Sequence, residues 1–233
     1  MEKIFKIYRF DPASGKEPFF QEYRLDTVPT DKILDCLNRI RWEQDPGLAF
    51  RMSCGHGVCG SDGVKINGVC GLSCQRLVRD YPEKTITIEP LPNFNVVKDL
   101  VVDLERFFEN HRKVKPYLIP EAPPPEKERP QTPEERKKFE EAIRCILCGS
   151  CTAACPITAE NEDYLGPAAL LRAFRYLFDS RDGADEERKK MLDGKDGAWG
   201  CKVHRKCTEV CPKEIPVTKS ITHIKMKIMG KMD

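Results

Sequence analysis

Residues 53–63 read SCGHGVCGSDG, and this stretch decides how the first half of the chain folds. Its glycines at positions 55, 57 and 60 fit the G-x-G-x-x-G fingerprint of a dinucleotide-binding turn. That turn needs a strand before the glycines and a helix that begins on them. The residues that follow, SDGVKINGVCG, contain three more glycines and cannot begin a stable helix. The sequence therefore argues against a nucleotide site, and the cysteines of the stretch explain the glycines better.

These cysteines belong to a longer ligand pattern. Cys54, Cys59, position 62 and Cys74 have the spacing of plant-type ferredoxins, in which three ligands of a [2Fe-2S] cluster share one loop and a fourth returns later. Glycines suit such a loop because they supply positive φ angles and let backbone N–H groups point at sulfur. Position 62 is Asp62, and because a carboxylate can bind iron, Asp62 is the predicted third ligand. The alternatives are Cys70 as the ligand, or a solvated Asp62 beside a defective site.

Composition limits the function classes. The 39 basic and 37 acidic residues nearly cancel, so no global field attracts nucleic acid, and no nucleic-acid partner is expected. No apolar run is long enough for a membrane span, and the charged start MEKIFKIYRF lacks the apolar core of a signal peptide. We therefore expect the chain to stay on the cytoplasmic side of any membrane. Because that compartment keeps thiols reduced, the 12 cysteines predict metal ligation rather than disulfides.

The first hundred residues predict a small sheet with one helix. Apolar alternation in IFKIYRF and PFFQEYRL, with the turn DPASGK between them, predicts a β-hairpin. After a start signal at residues 29–31, the residues Ile33, Cys36, Leu37 and Ile40 follow helical spacing. They predict a helix that packs on the sheet, with Cys36 as a core residue and not a ligand. The segment TITIEP predicts a further strand.

The second half has a different character. Seven prolines lie between Lys115 and Glu134, which predicts a stiff linker. From TPEERKKFEEAIRCILC onward the spacing is helical, with Thr132 as the predicted cap and Pro133 in the first turn. The basic amphipathic segment PVTKSITHIKMKIM predicts a helix that docks on its own domain; the alternative is a helix that touches a membrane. The predicted α+β organisation is a first domain at 1–112, a linker at 113–134 and a helical domain at 135–233.

Two cysteine runs in the helical half have ferredoxin spacing. The first, C-x2-C-x2-C-x3-C-P, consists of Cys145, Cys148, Cys151, Cys155 and Pro156. The second keeps this spacing at Cys201, His204, Cys207, Cys211 and Pro212, with histidine in place of the second cysteine. In two-cluster ferredoxins the fourth cysteine of a run binds the other cluster. The crossing predicts a [4Fe-4S] cluster on Cys145, Cys148, Cys151 and Cys211, and a second cluster on Cys155, Cys201 and Cys207.

The second of these clusters has only three thiolates. Three thiolates hold a [3Fe-4S] centre, because the fourth iron has no strong ligand; the alternative is that His204 retains that iron. Structural zinc also uses C-x2-C pairs, but zinc sites close with four ligands, and two crossing runs plus a separate loop offer far more. The sequence therefore favours clusters over zinc.

The remaining histidines have no ligand role in this pattern. His56 lies in the first cysteine loop and is expected to tune or shield the cluster. His111 and His223 stand among charged residues and are expected to be solvated. No Ser/His/Asp set or supported acid pair emerges, so hydrolytic chemistry is not indicated.

The whole pattern resembles the iron–sulfur subunit of succinate dehydrogenase and fumarate reductase, over nearly the full chain. Beyond the cysteines, RMSCGHGVCGSDG, INGVCGLSC, YLGPAALLRAFRYLFDSRD and CTEVCPKEIPV are similar to stretches of that family. The resemblance implies an N-terminal plant-type ferredoxin domain of the β-grasp fold and a C-terminal all-α two-cluster ferredoxin-like domain. The third loop ligand of the family is cysteine in many members and aspartate in some, which favours Asp62.

The resemblance implies a role in electron transfer. The subunit would lie between a flavoprotein that oxidises succinate or reduces fumarate and a membrane anchor that handles quinone. FAD and the dicarboxylate site belong to the partner flavoprotein, while this chain carries [2Fe-2S], [4Fe-4S] and [3Fe-4S] clusters that relay single electrons. Such a complex implies a peripheral position on the cytoplasmic face of the inner (cell) membrane. The alternative is the cluster subunit of a soluble fumarate reductase-type enzyme with a non-quinone partner.

At the quinone pocket this chain departs most from the family that it resembles. In well-known members the pocket uses the proline after the equivalent of Cys155 and a tryptophan three or four positions beyond that proline. Pro156 keeps the proline, but Ala159 and Glu160 stand at the later positions, and Lys202 stands where those members have a histidine. The candidate quinone contacts are Pro156, Lys202 and His204. The departures leave the type of anchor and of quinone open.

Overall fold

The computed structural model describes residues 1–232, and the chain divides into two compact units. The first unit comprises Met1–Leu104 and Ile146–Ala154. The second comprises Glu105–Cys145 and continues from Cys155. Both units are therefore built from separated parts of the chain, whereas the predicted domains at 1–112 and 135–233 are continuous. The predicted domain boundaries stay a prediction.

The first unit contains a five-stranded mixed sheet. The first unit has seven strands in all, and they are β1 (Glu2–Arg9), β2 (Phe19–Asp26), β3 (Gly63–Ile66), β4 (Val69–Leu72), β5 (Thr85–Glu89), β6 (Val96–Lys98) and β7 (Val101–Val102). The sheet has the order β2-β1-β5-β3-β4, while β6 and β7 pair separately. β1 and β2 form the predicted antiparallel hairpin, and β5, the predicted TITIE strand, runs parallel to β1. A parallel pair needs a crossover, and the chain makes it with a helix.

That crossover contains α1 (Ile33–Glu43). The four residues predicted for its buried face, Ile33, Cys36, Leu37 and Ile40, are fully buried. Burial raises the pKa of the Cys36 thiol to about 12, so this cysteine is a neutral core residue, as the sequence predicted. The helix begins at Ile33, after the start signal at residues 29–31, and Lys32 precedes its first turn. The Asp31 carboxylate accepts the Val28 N–H at 3.0 Å. The sheet, with this helix, is the predicted β-grasp arrangement.

Nine further α-helices lie in the described part of the chain. They are α2 (Glu105–Lys113), α3 (Pro133–Lys137), α4 (Glu140–Ile143), α5 (Ser150–Ala153), α6 (Pro156–Glu160), α7 (Gly166–Leu177), α8 (Asp185–Leu192), α9 (Lys206–Glu209) and α10 (Val217–Ile228). All except α5 belong to the second unit, which is therefore helical, as predicted. In residues 1–232 no helix combines the length and the apolar composition of a membrane span.

The centre of the second unit is the packing of α10 against α7. Val217, Ile221 and Ile224 of α10 are buried, as are Leu170 and Leu171 of α7. The apolar face of α10 is thus covered by its own unit, and the predicted docking of this basic helix is confirmed. Burial of such aliphatic side chains stabilises a fold by about 1.5–3 kcal/mol each.

The cap of α3 also follows the sequence. Thr132 Oγ1 accepts the Glu135 N–H at 3.2 Å, and a Glu135 carboxylate oxygen accepts the Thr132 N–H at 2.8 Å. This reciprocal pair is a capping box, and Pro133 occupies the first turn as predicted. The helical pattern that follows is not one helix, because α3 ends at Lys137 and α4 begins at Glu140.

The proline-rich segment between α2 and α3 has no helix or strand in any of its described residues. The Gly183 N–H donates to the Ile119 carbonyl at 2.7 Å, and the Ile119 N–H donates to the Asp182 carboxylate at 3.0 Å. Near the other end, the Gln131 side chain donates to Asp179 at 2.9 Å. Residues 121–128, between these attachments, are exposed. The segment is therefore held at both ends on the second unit and open in its middle.

Candidate metal centres

The loop at 54–59 has a backbone shaped to stabilise sulfur anions. Its glycines, together with the one at position 60, have φ between 70° and 73°. The N–H groups of Val58 and Cys59 donate to Cys54 Sγ at 3.4 and 3.3 Å. Backbone N–H groups, first that of His56 and then those of Cys59 and Val58, lower the pKa of the Cys54 thiol to about 6. Because the thiolate is the form that binds metal, this backbone suits the predicted ligand role of Cys54. The glycines have the positive φ angles that the sequence predicted for them.

Two of these glycines also permit close packing. A Cβ at Gly57 would lie 2.2 Å from the Gln75 side-chain nitrogen, and a Cβ at Gly60 would lie 2.8 Å from the Ile146 carbonyl oxygen. The second neighbour is backbone, which cannot move aside as a flexible side chain does. Gly60 therefore lets the loop lie directly on the segment Ile146–Ala154 of the same unit.

Two polar side chains that hold this loop were missed by the sequence analysis. Lys32 Nζ donates to the Gly55 carbonyl at 2.8 Å, and Ser61 Oγ lies 3.2 Å from Cys59 Sγ. Ser61 stands between two candidate ligands, so its position in the sequence was a usable signal. Lys32 stands far from the loop in the sequence, and only the crossover of the chain brings it there.

Asp62 is buried at 4% exposure and its two carboxylate oxygens differ. Oδ2 accepts hydrogen bonds from Ser73 Oγ at 2.9 Å and from the Cys74 N–H at 2.6 Å. Oδ1 is buried and has no hydrogen-bond partner among the described residues. A buried carboxylate oxygen without a partner is costly in a folded protein. An iron ion at Oδ1 would remove that cost, so the residue fits the predicted ligand role.

The thiols of Cys74 and Cys70 also bear on the assignment of the third ligand. Burial, followed by the hydrogen bond with the Asp62 carboxylate, raises the pKa of the Cys74 thiol to about 12. A nearby cation would stabilise both anions, which is the environment that a cluster supplies. Cys70 instead lies within β4 opposite Lys65, and burial raises its pKa to about 11. Asp62 carries the orphaned oxygen, and the alternative ligand Cys70 has no such feature.

The first cysteine run of the helical half is shared between the units. Cys148 and Cys151 belong to the first unit, and Cys145 and Cys155 belong to the second. Leu147 and the glycine at 149 have left-handed backbone conformations, with φ of 54° and 80°. α6 begins at the proline directly after Cys155. The predicted [4Fe-4S] ligand set, Cys145, Cys148, Cys151 and Cys211, stays a prediction from spacing.

The second unit contains a small hollow that is partly open to solvent. The residues around it include the three predicted [3Fe-4S] ligands, Cys155, Cys201 and Cys207. They also include the three candidate quinone contacts, Pro156, Lys202 and His204. The structure thus brings together all six residues that the sequence assigned to one end of the electron path.

The hollow has an exposed basic side and a buried side. Residues 202–206, KVHRK, are exposed, and Val203 and Arg205 have φ of 61° and 64°. A left-handed conformation is rare for a β-branched residue such as Val203, so the surrounding chain must hold this loop in place. On the buried side, burial raises the pKa of Cys207, and a hydrogen bond with the Thr218 hydroxyl at 3.3 Å opposes that rise.

The two distant histidines correct an expectation. His111 and His223 were expected to be solvated, but both are half-buried. Burial, with a smaller contribution from Arg172, lowers the pKa of His111, and His223 lies against the rings of Phe174 and Phe178. The sequence misled here because burial of a side chain depends on packing with segments that are distant in the chain, which the neighbouring residues do not reveal. His56, in contrast, is exposed on the cysteine loop.

In the described chain no three Cys, His, Asp or Glu side chains lie close enough to share a single metal ion. Ligands of a polynuclear cluster surround a core of several irons and sulfides, and so do not meet at one point. The fit to clusters rests on other features: the loop that stabilises Cys54 as a thiolate, the unpartnered Asp62 oxygen, and the three thiols around one hollow.

Comparison with known families gives a match on each half. A 2Fe-2S iron-sulfur cluster binding domain matches residues 4–109, and a 4Fe-4S dicluster domain matches residues 141–215. The [2Fe-2S] and [4Fe-4S] types predicted from the cysteine spacing are therefore supported independently.

Whole-chain comparisons agree. The chain is 39% identical over 232 residues to the succinate dehydrogenase iron-sulfur subunit of Coxiella burnetii, with 98% of each chain covered. It is 42% identical over 230 residues to that of Paracoccus denitrificans, covering 98% of this chain and 88% of the other. Its fold matches a chain of the Mycobacterium smegmatis Sdh1 complex in the apo form with a TM-score of 0.86 and 27% identity, covering 99% of this chain and 96% of that one.

Proposed function

Because this chain belongs to the family of succinate dehydrogenase iron–sulfur subunits, we propose that it passes electrons between the flavin of a partner flavoprotein and quinone at a membrane anchor. It is the electron-transfer component of a complex II-type oxidoreductase, and the dicarboxylate site lies on a partner chain. It carries [2Fe-2S], [4Fe-4S] and [3Fe-4S] clusters. When bound, these groups accept and release single electrons, which converts the two-electron chemistry of a flavin into single steps.

The ligand sets are part of this proposal. They are Cys54, Cys59, Asp62 and Cys74 for [2Fe-2S]; Cys145, Cys148, Cys151 and Cys211 for [4Fe-4S]; and Cys155, Cys201 and Cys207 for [3Fe-4S]. The observation that carries the proposal is the hollow in the second unit, since three of these thiols line the same space as the candidate quinone contacts. An electron acceptor at the exposed side of that hollow would lie next to the last cluster of the path.

The side chains around the hollow have defined tasks. Pro156 begins α6 and places its ring at the hollow, where it offers an apolar surface. Lys202 and His204 offer N–H donors that can hold the carbonyl oxygens of a quinone, and the exposed imidazole can also transfer a proton to such an oxygen. These are the requirements for reducing a quinone, which takes up protons as well as electrons.

The proposed location is peripheral, on the cytoplasmic face of the cell membrane, through an anchor subunit. The exposed KVHRK stretch at the hollow supports this, since its cations suit an anionic surface beside the quinone site. The alternative, a soluble fumarate reductase-type enzyme, would need a different acceptor at the same hollow.

A purification from native membranes with a tag on this chain tests the proposal. We expect a flavoprotein and an anchor subunit to co-purify, and the sample to reduce both quinone and an artificial dye with succinate. In Lys202→Ala the ratio of quinone to dye activity should fall at least several-fold, while Lys190→Ala, an exposed lysine on α8, should leave that ratio unchanged. Co-purification with a flavoprotein alone, and no quinone activity, would favour the soluble alternative.

A further inference from the structure

A chain of hydroxyl groups leads to the sulfur of Cys207. Thr218 Oγ1 lies 3.3 Å from Cys207 Sγ and 3.0 Å from Thr208 Oγ1. The Thr218 backbone N–H donates to Thr208 Oγ1 at 3.0 Å. Cys207 and Thr218 are buried at 7% and 8% exposure, so water does not compete strongly for these groups. Both Cys207 and Thr218 line the hollow of the second unit.

The positions of the protons in this chain follow from the thiolate. A cysteine bound to iron has no proton and can only accept a hydrogen bond, so the Thr218 hydroxyl must be the donor to Cys207 Sγ. Its own oxygen is then available to accept from the Thr208 hydroxyl. Thr208 Oγ1 in turn accepts the Thr218 N–H. Every hydroxyl proton is thereby fixed in direction, and each bond polarises the next toward the sulfur.

The backbone adds to the same effect. Thr218 is the second residue of α10, a helix of 12 residues, and the N-terminal end of a helix carries partial positive charge. A hydrogen bond to a ligand sulfur withdraws negative charge from it, and this stabilises the more negative, reduced form of a cluster. Both features therefore act to raise the reduction potential of the centre held by Cys207.

We propose that Thr218 is a positioning residue that raises the reduction potential of the cluster on Cys155, Cys201 and Cys207, and that Thr208 orients its hydroxyl proton. This inference rests on the proposed function, because it takes Cys207 as a ligand. A higher potential at this centre favours the downhill arrival of electrons next to the acceptor. A purely structural role of the threonine pair, joining α9 to α10, would leave the potential unchanged.

The test is a potentiometric titration of the purified complex, followed by the paramagnetic signal of the oxidised [3Fe-4S] centre. Thr218→Val keeps the shape of the side chain but removes the donor, and its midpoint potential should shift downward. Thr218→Ser restores the hydroxyl and should restore the potential. Thr208→Val should give a smaller downward shift, because the Thr218 hydroxyl loses its orienting partner.

Thr222→Val is the matched control on the same helix. Its hydroxyl donates to the Thr218 carbonyl at 3.0 Å, and the side chain is exposed. The control should keep the wild-type potential. If Thr218→Val fails to incorporate the cluster, Thr208→Val decides, since it leaves the donor itself in place.

The outcomes separate this inference from the proposed function. An intact signal with an unchanged midpoint potential in both valine variants would overturn the role of the hydroxyl chain and leave the ligand assignment standing. Absence of the [3Fe-4S] signal in the wild-type complex and in Thr222→Val would instead overturn the ligand assignment, and the inference with it.

Discussion

At the scale of single residues, Asp62 shows how one substitution in a metal pattern is accommodated. Its neighbours in space, Ser73 and Cys74, bind only one of its oxygens and leave the other free of partners. A cysteine at this position would have a single sulfur for both tasks. The carboxylate is held by the protein through Oδ2, and on the proposed assignment it would bind iron through Oδ1, which would keep three ligands in the loop.

Asp62→Asn is the sharpest variant, because it keeps the shape and an oxygen for the two donors but removes the negative charge. We expect loss of the [2Fe-2S] cluster signal in Asp62→Asn, whereas Asp62→Cys should retain the cluster with an altered midpoint potential. Iron content and the paramagnetic signal of the reduced cluster measure both. Cys70→Ser is the control and should leave the cluster unchanged. Loss of the cluster in Cys70→Ser, with a normal cluster in Asp62→Asn, would make Cys70 the ligand.

His204 is the second residue that departs from its pattern. It lies at the hollow with Cys155, Cys201 and Cys207, so a thiol at this position would be added to an existing set of three. We expect His204→Cys to convert the [3Fe-4S] centre to [4Fe-4S], with loss of the oxidised paramagnetic signal, a lower midpoint potential and slower quinone reduction. His204→Ala should keep three irons. A wild-type centre that already contains four irons, and loses one in His204→Ala, would show that the imidazole binds iron.

The candidate ligands could be predicted from the sequence, because side chains that bind metal belong to few residue types and follow restricted spacings. Lys32 and Thr218 could not. Each touches a candidate ligand or its loop through a contact between segments distant in the chain, and neither has a spacing rule. Such supporting side chains depend on how helices and strands pack, which a single sequence does not encode locally.

At the scale of elements, the same distinction holds. Periodicity and capping predicted the hairpin, α1, the cap of α3 and the buried face of α10. These signals are local, since each lies within a short stretch of the sequence. The membership of Ile146–Ala154 in the first unit does not follow, since it depends on the absence of a Cβ at Gly60 and on the Asn93 side chain, which donates to the Ala153 carbonyl at 2.8 Å. Likewise, α2 joins the second unit through Asn110, which donates to Tyr164 at 3.3 Å.

Arg188 of α8 connects its helix to the segment that follows α2. It is 1% exposed and binds the Asp182 carboxylate through two N–H groups, at 3.0 and 2.8 Å. Its other N–H groups donate to the carbonyls of Val114, Lys115 and Tyr117 at 2.8 to 3.0 Å. The guanidinium thus uses its full set of donors to fix the start of the linker.

Arg188→Met should therefore destabilise the second unit by about 3–5 kcal/mol, because it leaves the buried Asp182 carboxylate without its cation. The measurement is the temperature at which heating bleaches the visible absorbance of the clusters. Lys189→Met, which removes only the pair with the exposed Glu186, should leave the bleaching temperature close to that of the wild type. Equal bleaching temperatures for Arg188→Met and the wild type would show that this network does not limit stability.

At the scale of the whole molecule, the order of the chain and the division into units do not coincide. The chain leaves the first unit after Leu104, returns for Ile146–Ala154, and leaves again. Neither unit is complete without residues from both sides of the proline-rich segment. That segment can therefore be cut without separating either unit into a free, folded fragment.

This arrangement makes a specific prediction for limited proteolysis with trypsin. Between residues 114 and 132 the only basic residues are Lys115, Lys127 and Arg129, and prolines follow the first and the last, which blocks cleavage after them. Lys127 lies in the exposed middle of the segment, so the first cut should fall after Lys127 and give fragments 1–127 and 128–233 on a denaturing gel. Lys127→Gln is the matched control and should abolish this cut.

The two fragments should nevertheless stay together in native size-exclusion chromatography, with the visible absorbance of the clusters retained. Fragment 1–127 supplies α2 and the carbonyls bound by Arg188, and fragment 128–233 supplies Arg188 and the Ile146–Ala154 segment that completes the first unit. Separation of the fragments would expose buried surface and leave the Asp182–Arg188 pair without its backbone partners. Both effects are unfavourable, so the fragments should remain associated after the cut. Fragments that elute apart, or an early cut inside either unit while Lys127 stays intact, would show that the chain is divided differently.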